Sequence, residues 1–277
     1  MINAEPIADA LTERFGVHLQ GEAFDDQDGQ HVRLTPGELP RTQGFSIELL
    51  FAWRSLEAYF SPAPYARRLI GSMETADPSQ RATFSAFMRA ARDDGFSLRM
   101  EVNGKEVDAV ASDEWPSGWQ SLSISMRKGQ VMLPDDDPDA IRPTAISTGG
   151  RMLGAVLSLL PLEPVDEALA GETEGARKEV MATRYERSPV NRAACIELHG
   201  TLCGICGIDF GTVYGELGEG FIEVHHIVPV STIELGTVVD PATDLIPVCS
   251  NCHSMVHRKN PPLTPGELRR ILSGSTT

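Results

Sequence analysis

Apolar and polar residues alternate along FSIELLFA (Phe45 to Ala52) and LEAYFSP (Leu56 to Pro62), which predicts two strands around a turn near Trp53 and Arg54. The period then changes. In DPSQRATFSAFMRAARDD, Phe84, Phe87, Met88 and Ala91 share one helical face, with Asp77 as N-cap and Pro78 at the first helical position. SLRMEVNGKEVDAV reads as a hairpin, because Asn103-Gly104 is the pair a tight type I′ turn demands. WQSLSISMR adds another alternating strand, PDDDPD is an exposed acidic loop, and ISTGGRMLGAVLSLLP is a buried helix.

Beyond these elements, EPVDEALAGETEGARKE is polar, acidic and poor in aromatics, as a linker would be. A chain of 277 residues suits two domains. The expected division is a mixed α/β domain over 1–163, a linker over 164–182 and a second domain over 183–277, α+β overall. The second domain opens with the helix SPVNRAACIELHG, for which Ser188 is the cap, Pro189 the first position and Gly200 the C-cap. FIEVHHIVPV reads as a strand running into a turn at Pro229, and NCHSMVHR as the start of a helix.

A formal net charge of −15 argues against nucleic-acid binding through bulk electrostatics. The imbalance is uneven, with 16 basic against 28 acidic side chains up to Arg177, and 8 against 11 from Lys178 onward. Contacts with phosphate must therefore be local. There is no apolar run long enough to span a bilayer. The start MINAEPIADALTERFG is acidic where a secretory signal is basic, so a cytoplasmic protein is expected, with no membrane partner.

Four of the five cysteines form two C-x-x-C pairs, Cys203/Cys206 and Cys249/Cys252. Without a signal peptide such knuckles point to metal rather than to disulfides. Cys195, on the apolar side of a helix, reads as a small core residue. The stretch VCSNCHSMVH holds Cys249, Cys252, His253 and His257, but it is not a zinc finger. A ββα finger needs about twelve residues between its cysteine and histidine pairs, and here Cys252 and His253 are adjacent.

On a helix from about Ser250, His253 and His257 share one face while Cys252 points elsewhere. The cysteines can then join Cys203 and Cys206 in a closed structural Cys₄ zinc site. The histidines face His225-His226, whose side chains point to opposite sides of a strand. His225, His253 and His257 leave a coordination position open, as a catalytic divalent ion requires, and His226, outside that ligand set, suits the role of general base. Metal plus base suits phosphodiester hydrolysis. His199, beside Gly200, reads as a helix C-terminal cap, and His18 and His31 have no partners in sequence.

With these residues in place, the segment from about Tyr185 to Arg258 resembles the HNH (ββα-metal) nuclease domain, most of all the McrA-type HNH endonucleases, which include modification-dependent restriction enzymes. The matching stretches are YERSPVNRAACIELHGTLCGIC, DFGTVYGELGEGFIEVHHIVPV and TDLIPVCSNCHSMVH. The resemblance implies a metal-dependent DNA endonuclease of restriction or defence, with His226 as general base. It implies His225, His253 and His257 around Mg²⁺, Mn²⁺ or another divalent ion, and structural Zn²⁺ on the four cysteines. Asp244 falls where the family has the middle Asn. An ionised Asp only accepts hydrogen bonds, so it would orient a protonated His226 or backbone donors.

The same resemblance implies that the N-terminal domain recognises double-stranded DNA, with modified DNA among the targets. Trp53, Arg54, Tyr59, Tyr65, Arg67, Arg68, Trp115 and Trp119 are candidate readers, and Arg184, Arg187, Arg192 and Arg258 candidate phosphate contacts. A homodimer suits double-strand cleavage. The rival readings are a zinc-stapled DNA-binding module without cleavage and a non-specific or RNA-directed nuclease of the same fold.

Overall fold

The computed structural model describes residues 2–37, 44–131, 138–160, 189–228, 239–259 and 261–274. The expected linker, most of PDDDPD, Ser188 and Pro229 lie outside them. The chain runs α1 (Glu5–Phe15), β1 (Leu19–Asp25), β2 (Gln30–Pro36), β3 (Phe45–Ala52), β4 (Ser55–Pro62), α2 (Arg67–Glu74), α3 (Pro78–Asp93), β5 (Ser97–Val102), β6 (Lys105–Val107) and β7 (Leu122–Gly129). It continues through α4 (Arg142–Ser158), α5 (Pro189–His199), α6 (Phe210–Tyr214), β8 (Glu223–His226), β9 (Leu245–Val248), α7 (Ser250–Val256) and α8 (Pro265–Leu272).

The first seven strands form one antiparallel sheet in the order β1-β2-β3-β4-β7-β5-β6. Alternation assigns its two faces. Val32, Leu34, Ile47, Leu49, Ala58, Phe60, Ile124 and Met126 are buried on one face, against α1, α3 and α4. His31, Arg33, Glu48, Glu57 and Arg127 sit on the other and pair among themselves. His31 thus has structural partners no local motif announced. Its Nδ1 lies 3.0 Å from Glu48, its Nε2 3.0 Å from Asp26, and its ring stacks on Phe24 at 4.6 Å.

The expected helix is α3, closed by reciprocal bonds between Asp77 and Gln80, each 2.9 Å. Phe84, Phe87, Met88 and Ala91 are fully buried on its inner face. Gly154 of α4 is required there, because a Cβ would come within 2.3 Å of the Phe87 ring. Asn103 and Gly104 take φ of 53° and 72°, the left-handed pair of the expected turn.

Helix α5 belongs to two cores at once. Val190, Ala193 and Ala194 complete the core above the sheet, while Cys195 packs with Val224 and Leu245 of the small β8–β9 sheet. Glu197, almost buried, binds Arg14 of α1 at 2.9 Å and Arg151 of α4, which also reaches Asp94 at 2.7 Å. Burial disfavours the charged Arg151, but Glu197 and Asp94 outweigh it, so its pKa is raised. On the other side of α5, Arg192 donates to the Ile222 carbonyl at 2.7 Å, just ahead of β8.

Removing Glu197 would leave Arg14 short of a partner and Arg151 only half compensated. Glu197→Ala is therefore expected to lower stability by about 3 kcal/mol, read from the denaturant midpoint. A loss below about 1 kcal/mol would mean the network is a solvated surface pair.

Candidate active site and metal centres

Two ligand clusters stand on the two sides of α7. The first knuckle, Cys203 to Cys206, is closed by Gly207 N–H donating to the Cys203 carbonyl at 2.8 Å, with Gly207 at a φ of 75°. Gly204 of this knuckle lies against β9. Its N–H donates to the Pro247 carbonyl at 2.8 Å, and a Cβ there would meet Ile246 at 2.7 Å. In the second knuckle, Cys249 is the N-cap of α7, its Sγ accepting from Cys252 N–H at 3.4 Å. Arg269 of α8 clasps the first knuckle through the Gly204 carbonyl at 2.7 Å.

As a result the sulfurs of Cys203, Cys206, Cys249 and Cys252 all lie within 4.8 Å of one another. Burial opposes ionisation of Cys203, but backbone N–H groups of Cys206, Cys249 and Ile205 outweigh it and lower its pKa to about 7. Cys252 is pushed up by burial and by the neighbouring thiols, and Cys249 is raised with it. A cluster in which ionisation of one sulfur raises its neighbours suits a divalent cation, and the four thiols are compatible with a closed tetrahedral zinc site. Cys195 is different. It lies in the core, burial raises its pKa to about 12, and it has neither thiolate character nor metal-site company.

The second cluster joins β8 to the other face of α7. His225 is buried on β8, and His253 and His257 lie one turn apart on the helix. Their ring centroids form a near-equilateral triangle with sides of 5.0–5.2 Å, and one ligand atom from each falls within 4.8 Å of the others. Glu223, which the sequence reading passed over, sits two residues before His225 and so on the same face of β8. Its carboxylate binds His253 Nδ1, which leaves Nε2 as the nitrogen available to an ion. The signal was the strand period itself, counted back from His225.

His226, half-buried, occupies the opposite face of β8 and is paired in register with Leu245. The next residue, Ile227, donates its N–H to the Asp244 carbonyl at 2.8 Å. The Asp244 carboxylate accepts from Asp240 N–H at 2.8 Å and from the Thr243 hydroxyl at 3.2 Å. Both partners are donors, so a group that only accepts satisfies the turn. Asp244→Ala is expected to cost about 1–3 kcal/mol by stranding them, whereas Asp244→Asn, which keeps one acceptor, should cost less than half of that. Thermal unfolding of the two variants separates these outcomes.

The remaining candidates are spread widely. Trp115 and Trp119 are core residues, each indole N–H donating to a backbone carbonyl, and they are not exposed readers. Tyr59 is half-buried and its hydroxyl donates to Glu57; burial first, and then the Glu57 carboxylate, raise its pKa. Trp53, Arg54, Tyr65, Arg67 and Arg68 are exposed. Arg192 is engaged with Ile222, Arg258 is exposed one residue after His257, and Arg184 and Arg187 lie outside the described residues.

Two antiparallel strands, a helix and a histidine cluster between them define a class. Residues 203–259 match the HNH endonuclease family model, and the chain carries an HNH domain there. Among named proteins, it is 30% identical over 90 residues to the type IV methyl-directed restriction enzyme EcoKMcrA of Escherichia coli (strain K12). That match covers 31% of this chain and 31% of the relative, so the chain spans about a third of that protein's length. No helix among the described residues is long and apolar enough to cross a membrane.

Proposed function

We propose that this protein is a metal-dependent DNA endonuclease of restriction type, in which the N-terminal region selects the DNA. The observation that carries the reading is the convergence of His225, His253 and His257, with His226 the next residue of β8, inside the segment that matches the HNH endonuclease model. The donor set fits a divalent ion, because neutral imidazoles ligate such ions and three of them leave positions open. When bound, Mg²⁺, Mn²⁺ or a similar ion would supply charge neutralisation at the phosphate and the departing 3′-oxygen.

The chain's own residues do the rest. His226 takes the proton from the attacking water. Asp244 is a positioning residue, since it ties the end of β8 to the turn before β9 and so fixes the direction of the His226 backbone. Glu223 holds His253 in one tautomer with Nε2 facing the ion site. Arg258 steadies a phosphate next to His257. Cys203, Cys206, Cys249 and Cys252 would hold Zn²⁺, which would fasten the two knuckles, and a homodimer would bring two such centres to opposite strands.

That EcoKMcrA is a methyl-directed restriction enzyme supports modified duplex DNA as the substrate. Cleavage of modified and unmodified plasmid, with and without Mg²⁺ or Mn²⁺, tests the reading. Cleavage only of modified DNA and only with metal is the expected result. Plasmid left intact under every condition would leave a binding module, and equal cutting of both DNAs a nuclease without a reader.

A further inference from the structure

The sheet of the N-terminal region is electrically polarised along its strands. One end carries the β1–β2 and β3–β4 turns and the approach to β5, and there Asp25, Asp28 and Asp93 are exposed, beside Asp26, which pairs with His31, and Asp94, which pairs with Arg151 and Lys128. Trp53, 87% exposed with Arg54 lying over its ring at 5.6 Å, stands among these carboxylates. A phosphate backbone would be repelled from that tip. The other end carries the close of β4, the Asn103-Gly104 turn with Lys105, and the corner Pro62 to Arg68. Tyr65 is 74% exposed there, and Arg67 and Arg68 open α2, both exposed.

Most other arginines of this region are bound to carboxylates: Arg14, Arg33, Arg92, Arg99, Arg127 and Arg151. Arg67 and Arg68 have no carboxylate partner among the described residues. At the same end Glu74 is engaged by the amides of Gly118 and Trp119 and Glu106 by Arg99, while Asp113 and Glu114 are exposed next to Ser112, which Arg81 links to Glu74. An open cavity of about 580 Å³, lined by Glu22, Arg33, Ser46, Ser61, Pro62 and Pro64 among others, ends at the residue before Tyr65.

The edge is also of the right size and place. Seven strands about 4.8 Å apart span roughly 29 Å, close to the roughly 34 Å of one turn of duplex. The eight residues of α2 lead in about 12 Å to α3, whose Ser79 hydroxyl reaches the Val239 carbonyl at 3.4 Å, in the approach to β9. One duplex can lie along this edge and continue towards the HNH strands.

Resting on the reading that the N-terminal region selects DNA, we propose that the Tyr65–Arg68 corner is its duplex-binding edge. Arg67 and Arg68 grip the backbone there, and the Trp53 tip faces away from the DNA.

The test is binding of a labelled duplex to the full-length chain, without divalent metal, at several salt concentrations. In Arg67→Ala/Arg68→Ala the slope of log affinity against log salt is expected to flatten by about 2, with affinity roughly tenfold or more weaker at low salt. The Arg67→Lys/Arg68→Lys chain should recover the slope, and Trp53→Ala/Arg54→Ala should bind as the unaltered chain does. If instead the Trp53 pair matters and the arginine pair does not, the edge is wrongly assigned while DNA selection by this region stands. Should neither pair matter although the unaltered chain binds, selection by this region falls as well. Absence of any duplex binding overturns both.

Discussion

Replacing Cys252 by serine is expected to abolish binding of the zinc proposed for the four cysteines and unfold the chain from about Gly200 onward, while the seven-stranded sheet and α5 stay folded. The reason lies in how little else holds that part together. Its main buried cluster is Cys203, Ile205, Ile222, Ile246, Val248, Cys249, Cys252, Val256 and Leu268, so the metal ligands are themselves a third of the core. The two strands above them are four residues each. A structural zinc contributes on the order of 10–16 kcal/mol at neutral pH in small zinc domains, far more than a few buried aliphatic side chains at about 1.5–3 kcal/mol each. Limited proteolysis with mass detection reads the result. The substituted chain should be cut after α5 within conditions that leave the unaltered chain whole, and a strong chelator should reproduce the pattern. A Cys252→Ser chain as resistant as the original would show that packing alone sustains the domain.

The second large effect is chemical rather than structural. His226→Ala should reduce cleavage by about 10²–10⁴-fold, the usual worth of a positioned general base, with zinc content unchanged. His226 shares no ligand atom with either metal cluster, and its backbone is set by the Leu245 pairing and by the bond from Ile227 to Asp244. Removing the side chain therefore takes no ligand from either centre. His253→Ala should lose cleavage too, but with weakened divalent-ion binding. The pair of variants thus separates proton transfer from ion binding, which loss of activity alone would not do.

Much of this was legible in the residues because the strongest signals were local. The β3–β4 alternation, the Asp77-Pro78 start of α3 and the Asn103-Gly104 turn each depend on a few neighbouring residues, and each formed as expected. The division of VCSNCHSMVH between two clusters followed from the 100° step of a helix, and the two clusters stand where that step puts them. What stayed hidden depends on distant partners. Helix α1 buries Ile7, Leu11 and Phe15 at helical spacing, but no side-chain cap marks its start. Strand β1 lies at the sheet edge, largely exposed, so its alternation is weak. Trp115 and Trp119 looked like readers because aromatic residues serve both cores and ligands, and only the packing of Trp115 on Phe84 and of Trp119 on Trp115 decides. Arg192 was legible as a charge but not as the bond to Ile222 that spends it. The double allegiance of α5 could not be seen in SPVNRAACIELHG, where two apolar faces look like one broad one.

The central claim is that one short helix serves two centres of different purpose, one holding the domain and one cutting. Metal content measured beside DNA cleavage, on the unaltered chain, His253→Ala and Cys252→Ser, tests it most directly. The account predicts that His253→Ala keeps its zinc and its fold but does not cut, and that Cys252→Ser loses zinc, fold and cutting together. Loss of the zinc on removing His253, or a Cys252→Ser chain that still cuts, would contradict it.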